Sequence, residues 1–362
     1  MTSKSTYLPN LTPLRGLAAI AVVLFHKVTL YSSINPDKGG FDKLIDGIFN
    51  KGSLGVNFFF TLSGFLITYL LVREVESKGK FDALRFLIRR ALRIWPVYIV
   101  VALCGFVIMS SDGHNPLYFA TFLSNFDEIL NGAQSGNHVL TVLWSVSIEE
   151  QFYIAWAVIL GLTALKPKFF PHVFAAVIVA TVAFRWMNMG DERVLYYHTL
   201  SVISDMAIGG MLAIAVLRDH KLVQSIRNMA KWQIMLIYLI GVGFILTHNM
   251  IMKDELYVVD RLVTGVFWAF IICEQCIAAN SIVKSSSIPF LEYLGKISYG
   301  IYAYHLIIFF VINDVVQMDW QEFMPTDLIV NTTIVLLFTV VAASISYEVL
   351  EKPLLKIKDR FR

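Results

Sequence analysis

Leu14-Arg15-Gly16-Leu17-Ala18-Ala19-Ile20-Ala21-Val22-Val23-Leu24-Phe25-His26 is an apolar run that carries two ionisable side chains. Hydrocarbon offers no water to solvate charge, so an ionisable residue inside a membrane helix marks function by default. If the run is helical, eleven steps of about 100° come to roughly 1100°, three turns and about 20°. Arg15 and His26 then share a face, roughly 16 Å apart along the axis. One end of that face suits an anion and the other suits proton handling.

Working outward, the 362-residue chain is 57% hydrophobic and 16% charged, with a mean hydropathy of +0.64, which is too apolar for a soluble globule. Apolar runs of about twenty residues, enough for roughly 30 Å of hydrocarbon, begin near Leu14, Leu54, Trp95, Leu140, His172, Leu200, Trp232, Leu262, Ile288 and Leu328. They predict an all-α polytopic membrane protein of about ten transmembrane helices. Cations alternate between its loops. They gather from Arg73 to Arg93, at Lys166 and Lys168, from Arg218 to Lys231, at Lys284 and Lys296, and from Lys352 to Arg362. The positive-inside rule places these segments and both termini in the cytoplasm. Ser110 to His138 and Asn313 to Asp327, which hold acids but no Lys or Arg, then face outward.

This asymmetry accounts for the net charge of +3 and implies the lipid bilayer as partner and no nucleic acid. The first run resembles a signal peptide, but no Ala-x-Ala cleavage site follows its apolar core and it holds His26, which favours retention as a span. Cys104, Cys273 and Cys276 all lie in apolar runs. Buried packing thiols are the better reading despite the Cys-x-x-Cys spacing of the last two, and no metal is expected. No repeat or linker is visible, which predicts one transmembrane domain over residues 1–362 without a fused extramembrane domain. Tyr31–Ser53, Glu74–Ile94 and Ser110–Val139 read as loops suited to covering an outward-facing cavity.

Depth sorts the polar residues into layers. Arg15, Arg89, Arg90 and Arg93 fall at the inner interface, and His26 lies roughly 18 Å outward of it. Glu149, roughly 14 Å inward of the outer face, reaches nearly the level of His26, and His305 is also mid-membrane. Glu149 and Tyr153, four apart on the run that opens Trp144-Ser145, share a helix face. Two roles stay open for this carboxylate: orienting the His26 imidazole, or forming a structural hydrogen-bond hub with Tyr153. Ser298, Tyr302 and His305 form a polar stripe at i, i+4 and i+7 that faces protein or a cavity. Arg185 and Asp205 read as an interhelical ion pair, and Glu348 and Glu351 as partners of cytoplasmic arginines. Glu274 is deep, with no partner evident. Gly55 to Gly64 suits small-residue helix packing or, through Asn57 and Ser63, a cavity wall.

Guanidinium forks bind phosphate oxygens bidentately, so the arginine layer suits the head of a donor such as acyl-coenzyme A, whose arm would reach His26. A neutral imidazole then serves as general base toward an acceptor hydroxyl or as an acyl-carrying nucleophile. No H-E-x-x-H, G-x-S-x-G or Walker A pattern offers a competing enzyme reading.

At these residues the chain resembles the acyltransferase family 3 membrane proteins over nearly its whole length. Arg15 and His26 match the Arg-x10-His signature, Gly55 to Ile67 the Phe-rich Ser-Gly-Phe-Leu-Ile segment, and Arg90 to Arg93 the Arg-x-x-Arg pair. Trp144-Ser145 to Glu149 and Phe152-Tyr153 are similar to the Trp-Ser-Leu-x-x-Glu-x-x-Phe-Tyr motif, with Val146 in place of leucine. Leu294 to His305 and Tyr347 to Pro353 resemble the last two motifs. The resemblance implies a multi-pass enzyme of the bacterial cytoplasmic (inner) membrane. It would move acetyl from cytoplasmic acetyl-CoA to a hydroxyl of a cell-surface polysaccharide or its lipid-linked precursor, such as O-antigen, lipopolysaccharide or exopolysaccharide. His26 would be catalytic, with Glu149 beside it, and Arg15, Arg90 and Arg93 would serve the donor together with Arg89. Asn57, Ser63, Trp144, Ser145, Tyr153, Ser298, Tyr302 and His305 would line the substrate cavity. Some members carry a periplasmic hydrolase-like domain; this chain is expected to complete transfer alone. Two other readings remain: a glycan transporter or flippase that uses His26, Glu149 and His305 as a relay, and transfer of succinyl or longer chains, against which the bulk of Phe59 and Phe60 speaks.

Overall fold

A computed structural model describes residues 8, 10–34, 54–79, 81–108, 113–132, 139–163, 167–282, 284–312 and 325–358. Among them every regular element is helical. The longer helices are α1 (Leu11–Ile34), α2 (Leu54–Lys78), α3 (Ala83–Ile108), α4 (Leu143–Thr163), α5 (Phe170–Met187), α6 (Ser204–Leu217), α7 (Lys231–Ile251), α8 (Asp260–Ile277), α9 (Ser298–Phe310) and α10 (Pro325–Ser346). Each falls on one of the apolar runs. Six of them, α1, α2, α3, α5, α7 and α10, are long and apolar enough to cross a membrane, while α6 and α9 are apolar but shorter. The chain is therefore an all-α multi-pass membrane protein. The connection beyond Ile34, Lys166, and the tail cations Arg360 and Arg362 lie outside the described residues.

Glu74–Ile94, read as a loop, is mostly the end of α2 and the start of α3, and two further stretches are built differently from the prediction. The ninth run is two helices, Pro289–Lys296 and α9, parted at Ile297, so the polar stripe starts at a helix N-terminus. The segment read as a loop between Ser110 and Val139 contains two short helices, Pro116–Ala120 and Ser124–Leu130. Asn115 caps the first by accepting from Leu117 N, and Pro116 sits where no N–H is demanded. Asp127 is the hub: it accepts from the His114 ring at 2.5 Å, Asn115 N at 3.1 Å and Asn131 Nδ2 at 2.7 Å. Tyr98 of α3 donates to Phe119 O at 2.9 Å, and Gln151 of α4 donates to Asn125 Oδ1 and Phe122 O, each at 2.8 Å. The polarity that reads as a loop is thus turned inward and paired.

Contacts divide the chain into two compact units. The first comprises Met1–Ala18, Leu54–Phe81 and Ile159–Lys296. Its centre is the crossing of α2 and α6, where a Cβ on Gly64 would lie 2.0 Å from Met206 O and one on Gly209 1.9 Å from Thr61 O. Lipid is as apolar as leucine, so such close backbone approach, rather than hydrophobic transfer, holds membrane helices together. Gly64 therefore follows the packing alternative. Leu11, Ala18, Phe58, Leu62, Phe65, Ala213 and Ile272 form the buried cluster around it.

The expected Arg185–Asp205 pair is corrected. Asp205 pairs with Arg261 at 2.5 Å, whereas the buried Arg185 donates to the carbonyls of Val258, Leu195, Ser201 and Tyr257 and to Ser201 Oγ. These oxygens lie at or near the C-terminal ends of short helices, where carbonyls lack intrahelical donors, and five guanidinium N–H groups supply them. Beside this knot His248 and Asp260 meet at 2.6 Å. Glu274 accepts from Tyr238 at 2.7 Å, from Gln275 at 2.8 Å and from the Ser281 hydroxyl. The three cysteines are free thiols.

The second unit comprises Ala19–Ser53, Asp82–Val158 and Ile297–Arg362. In it α9 packs on α10, with Gly300 facing Ala343, and Tyr304 bonds Ser346 at 2.9 Å. A π-helical turn, Tyr347–Glu351, follows α10 and leads into a last helix, Lys352–Lys358, which packs on α3. Glu348 pairs with Lys352 at 2.5 Å, one turn onward, instead of with an arginine as expected, because an i,i+4 lysine is the nearest cation on its own face.

Candidate active site

Within the second unit, the outward-going part of α1 presents His26 and α9 presents His305. His26 Nδ1 lies 3.0 Å from Val22 O and 3.1 Å from His305 Nε2, with the ring centroids 4.9 Å apart. His305 Nδ1 lies 2.6 Å from Tyr302 O. The Tyr302 hydroxyl is 2.6 Å from Ser145 Oγ and 3.3 Å from Val142 O, which ties α9 to the start of α4. His305 is fully buried and His26 half-buried. Phe25 meets the His26 ring edge-on and Phe309 meets that of His305. The stripe Ser298, Tyr302 and His305 is buried along its length, as its spacing requires. Trp144 and Ser145 are buried as well, and Ser145 meets the stripe through Tyr302.

A second cluster joins α3 and α4. Arg90 is held between the rings of Phe86 and Tyr153, 5.6 and 5.7 Å from their centroids. The Tyr153 hydroxyl donates to Glu149 at 2.9 Å. Among the described residues Arg90 makes no ion pair, and its buried Nε has no hydrogen-bond partner. The rings hold the cation by their faces and leave its edge for an anion. Arg89 and Arg93, both half-buried, flank it in sequence. Glu150, which sequence reasoning passed over, is buried and accepts from Trp95 Nε1 at 3.1 Å. The adjacency of two glutamates in an apolar run was the signal for it.

Residues 9–348 match a family model described as an acyltransferase domain. The chain belongs to the acyltransferase 3 family. It is 27% identical to the "Putative O-acetyltransferase" of Staphylococcus aureus (strain COL) over 98% of this chain and 58% of the relative. It is also 27% identical to O-acetyltransferase OatA of S. aureus (strain NCTC 8325 / PS 47), over 97% of this chain and 57% of that protein. The chain thus spans somewhat more than half the length of these curated relatives. No solved structure matches it.

This acyltransferase 3 chain brings His26, Ser145, Tyr302 and His305 together in one cluster and Arg90, Glu149 and Tyr153 in another. Of the two roles open to Glu149, the hydrogen bond with Tyr153 is formed; the ring beside His26 is that of His305. Arg15, Asn57 and Ser63 belong to the first unit. There Asn57 is buried and donates to Thr264 Oγ1 at 3.2 Å, while Arg15 and Ser63 are half-buried. Among the described residues no group of three or more His, Cys, Asp and Glu side chains is placed to hold a metal ion.

Proposed function

We propose that the protein is an O-acetyltransferase of a bacterial cytoplasmic membrane that acts on a hydroxyl of a cell-surface glycan or its lipid-linked precursor. The observation that carries this reading is the half-buried His26, whose ring is fixed through one nitrogen only, in a chain whose relatives are named O-acetyltransferases. Acetyl-CoA, the proposed donor, would supply the acyl group as a thioester.

Arg90 fits an anionic donor head: its guanidinium is pre-oriented by two rings and, among the described residues, has no carboxylate at ion-pair distance. Arg89 and Arg93 would add charge to the same end. Arg15 keeps its proposed donor role from its place in the Arg-x10-His signature alone. His26 takes the proton of the acceptor hydroxyl as the new C–O bond forms. It returns that proton to the sulfur as the C–S bond breaks, leaving an ester and a thiol. Should His26 carry the acyl group instead, the same neutral imidazole is required.

The test is turnover of isotopically labelled acetyl-CoA by purified protein in bilayer discs, with a glycan or lipid-linked glycan acceptor. His26→Ala is expected to lower kcat about 100-fold or more, and Arg90→Leu to raise the donor KM with a smaller change in kcat. Full activity of His26→Ala would overturn the mechanism. A wild-type protein that moves glycan across the bilayer without consuming donor would favour a flippase.

A further inference from the structure

The two histidines can be assigned their protons from geometry. Carbonyl oxygens only accept hydrogen bonds, so a ring nitrogen at bonding distance from one must carry hydrogen. His26 Nδ1 faces Val22 O and His305 Nδ1 faces Tyr302 O; both Nδ1 atoms are therefore N–H. A neutral imidazole carries a single N–H, which leaves the lone pair of each ring on Nε2. The one hydrogen on His26 Nδ1 is then shared between Val22 O at 3.0 Å and His305 Nε2 at 3.1 Å, and the chain of donors runs one way, from His26 to His305 to Tyr302 O. His26 Nε2 is left without a hydrogen-bond partner among the described residues.

We propose that His305 is the positioning residue of the reaction: it shares the Nδ1 proton of His26 with Val22 O, holds the ring with the Nε2 lone pair as the reacting nitrogen, and takes up the charge that develops on that ring. This rests on the reading of His26 as the group that meets the substrate. When Nε2 takes the acceptor's proton, the Nδ1–H bond to His305 becomes charge-assisted and shortens. When Nε2 releases that proton to the leaving sulfur, the ground-state pair is restored. In soluble triads a carboxylate does this work. A neutral ring does it here without burying a charge in the resting state, which in a low-dielectric span avoids the desolvation penalty of a carboxylate. The choice is consistent with Glu149 being held elsewhere, by Tyr153.

The test pairs spectroscopy with kinetics on the full chain in lipid bilayers. In 15N NMR of histidine-labelled protein, the signals of His26 and His305 are identified by their loss in His26→Ala and His305→Gln. Both are expected to show Nδ1 protonated and Nε2 bare. His305→Leu leaves Val22 O as the remaining acceptor of Nδ1–H, so the tautomer should persist while the ring loses the partner that takes up its charge, and kcat should fall about 100-fold or more with the donor KM unchanged. His305→Gln, whose amide oxygen can accept from Nδ1–H, should restore that bond and return kcat to within about tenfold of wild type. A protonated Nε2 on His26 in the wild-type protein overturns the assignment. Wild-type kcat in His305→Leu, or equal loss of kcat in the Leu and Gln variants, overturns the positioning role. The spectrum needs no turnover, so a protein that failed to use any acyl donor would refute the functional reading and leave the tautomer result standing on its own.

Discussion

Replacing Gly209 with alanine adds one methyl at the crossing of α2 and α6. The new Cβ would stand 1.9 Å from Thr61 O and 2.7 Å from Phe65 N, and both obstacles are backbone. Ordinary contact begins at 3.4 Å, so the helices must part by 3.4 less 1.9, about 1.5 Å. A gap of even 0.5–1 Å forfeits about a quarter to a half of each dispersion contact along the seam. Overpacking of this kind costs about 1–3 kcal/mol, and with no flexible side chain to yield, the upper end is expected. Gly243→Ala is the matched control: it lies inside α7 with nothing within 4 Å of its Cβ, and should be neutral or stabilise by about 0.5–1 kcal/mol. Reversible unfolding by SDS titration in mixed micelles measures all three proteins. A Gly209→Ala protein within about 0.5 kcal/mol of wild type would refute the packing argument.

Arg185→Met should be among the most damaging single changes, about 3–5 kcal/mol by the same titration, since it strips four buried carbonyls of their donor; a mild effect would mean that water takes the arginine's place. Arg261→Met should destabilise more alone than when combined with Asp205→Asn, because the second change removes the stranded charge; a double-mutant cycle with additive energies would contradict the pairing. Tyr153→Phe keeps the ring under Arg90 but removes the donor to Glu149, so a loss of about 0.5–1.5 kcal/mol in stability is expected with the donor KM little changed, whereas Tyr153→Leu should raise that KM as well. Asp127→Ala leaves His114 and Asn131 unpaired and should speed proteolytic cleavage between residues 113 and 132, read by mass spectrometry.

What was legible in the sequence is what local periodicity encodes. The apolar runs mark the helices. The i, i+4, i+7 spacing of Ser298, Tyr302 and His305 marks their common buried face, and the Glu149–Tyr153 bond is an i,i+4 contact. Depth, counted along each run, set His26 and His305 at one level. It could not set them side by side, because rotation about a helix axis and the choice of neighbour depend on contacts between residues 279 apart. The same gap explains Asp205, whose partner is Arg261 although Arg185 lies at the expected level. Depth along a run pointed to Arg185, and the demand of unpaired carbonyls draws that arginine away and leaves Asp205 to Arg261. The helices between Pro116 and Leu130 were hidden for another reason. Their polar side chains satisfy one another, and a sequence shows polarity without showing where it is spent.

The π turn at Tyr347–Glu351 changes what Pro353 means for the chain. In an uninterrupted helix, a proline removes a hydrogen bond and drives its ring into the preceding turn. Here the ladder restarts at Lys352, so Pro353 falls in the first turn of the last helix, where no N–H is required. The wider turn accommodates one more residue than an α turn, and everything after it is swung by about 100°. An insertion or deletion of one residue at this point would therefore act as a rotation rather than a change of length. It would carry Leu354 and Leu355, half-buried in the helix that packs on α3, out of that contact while leaving the helix itself intact.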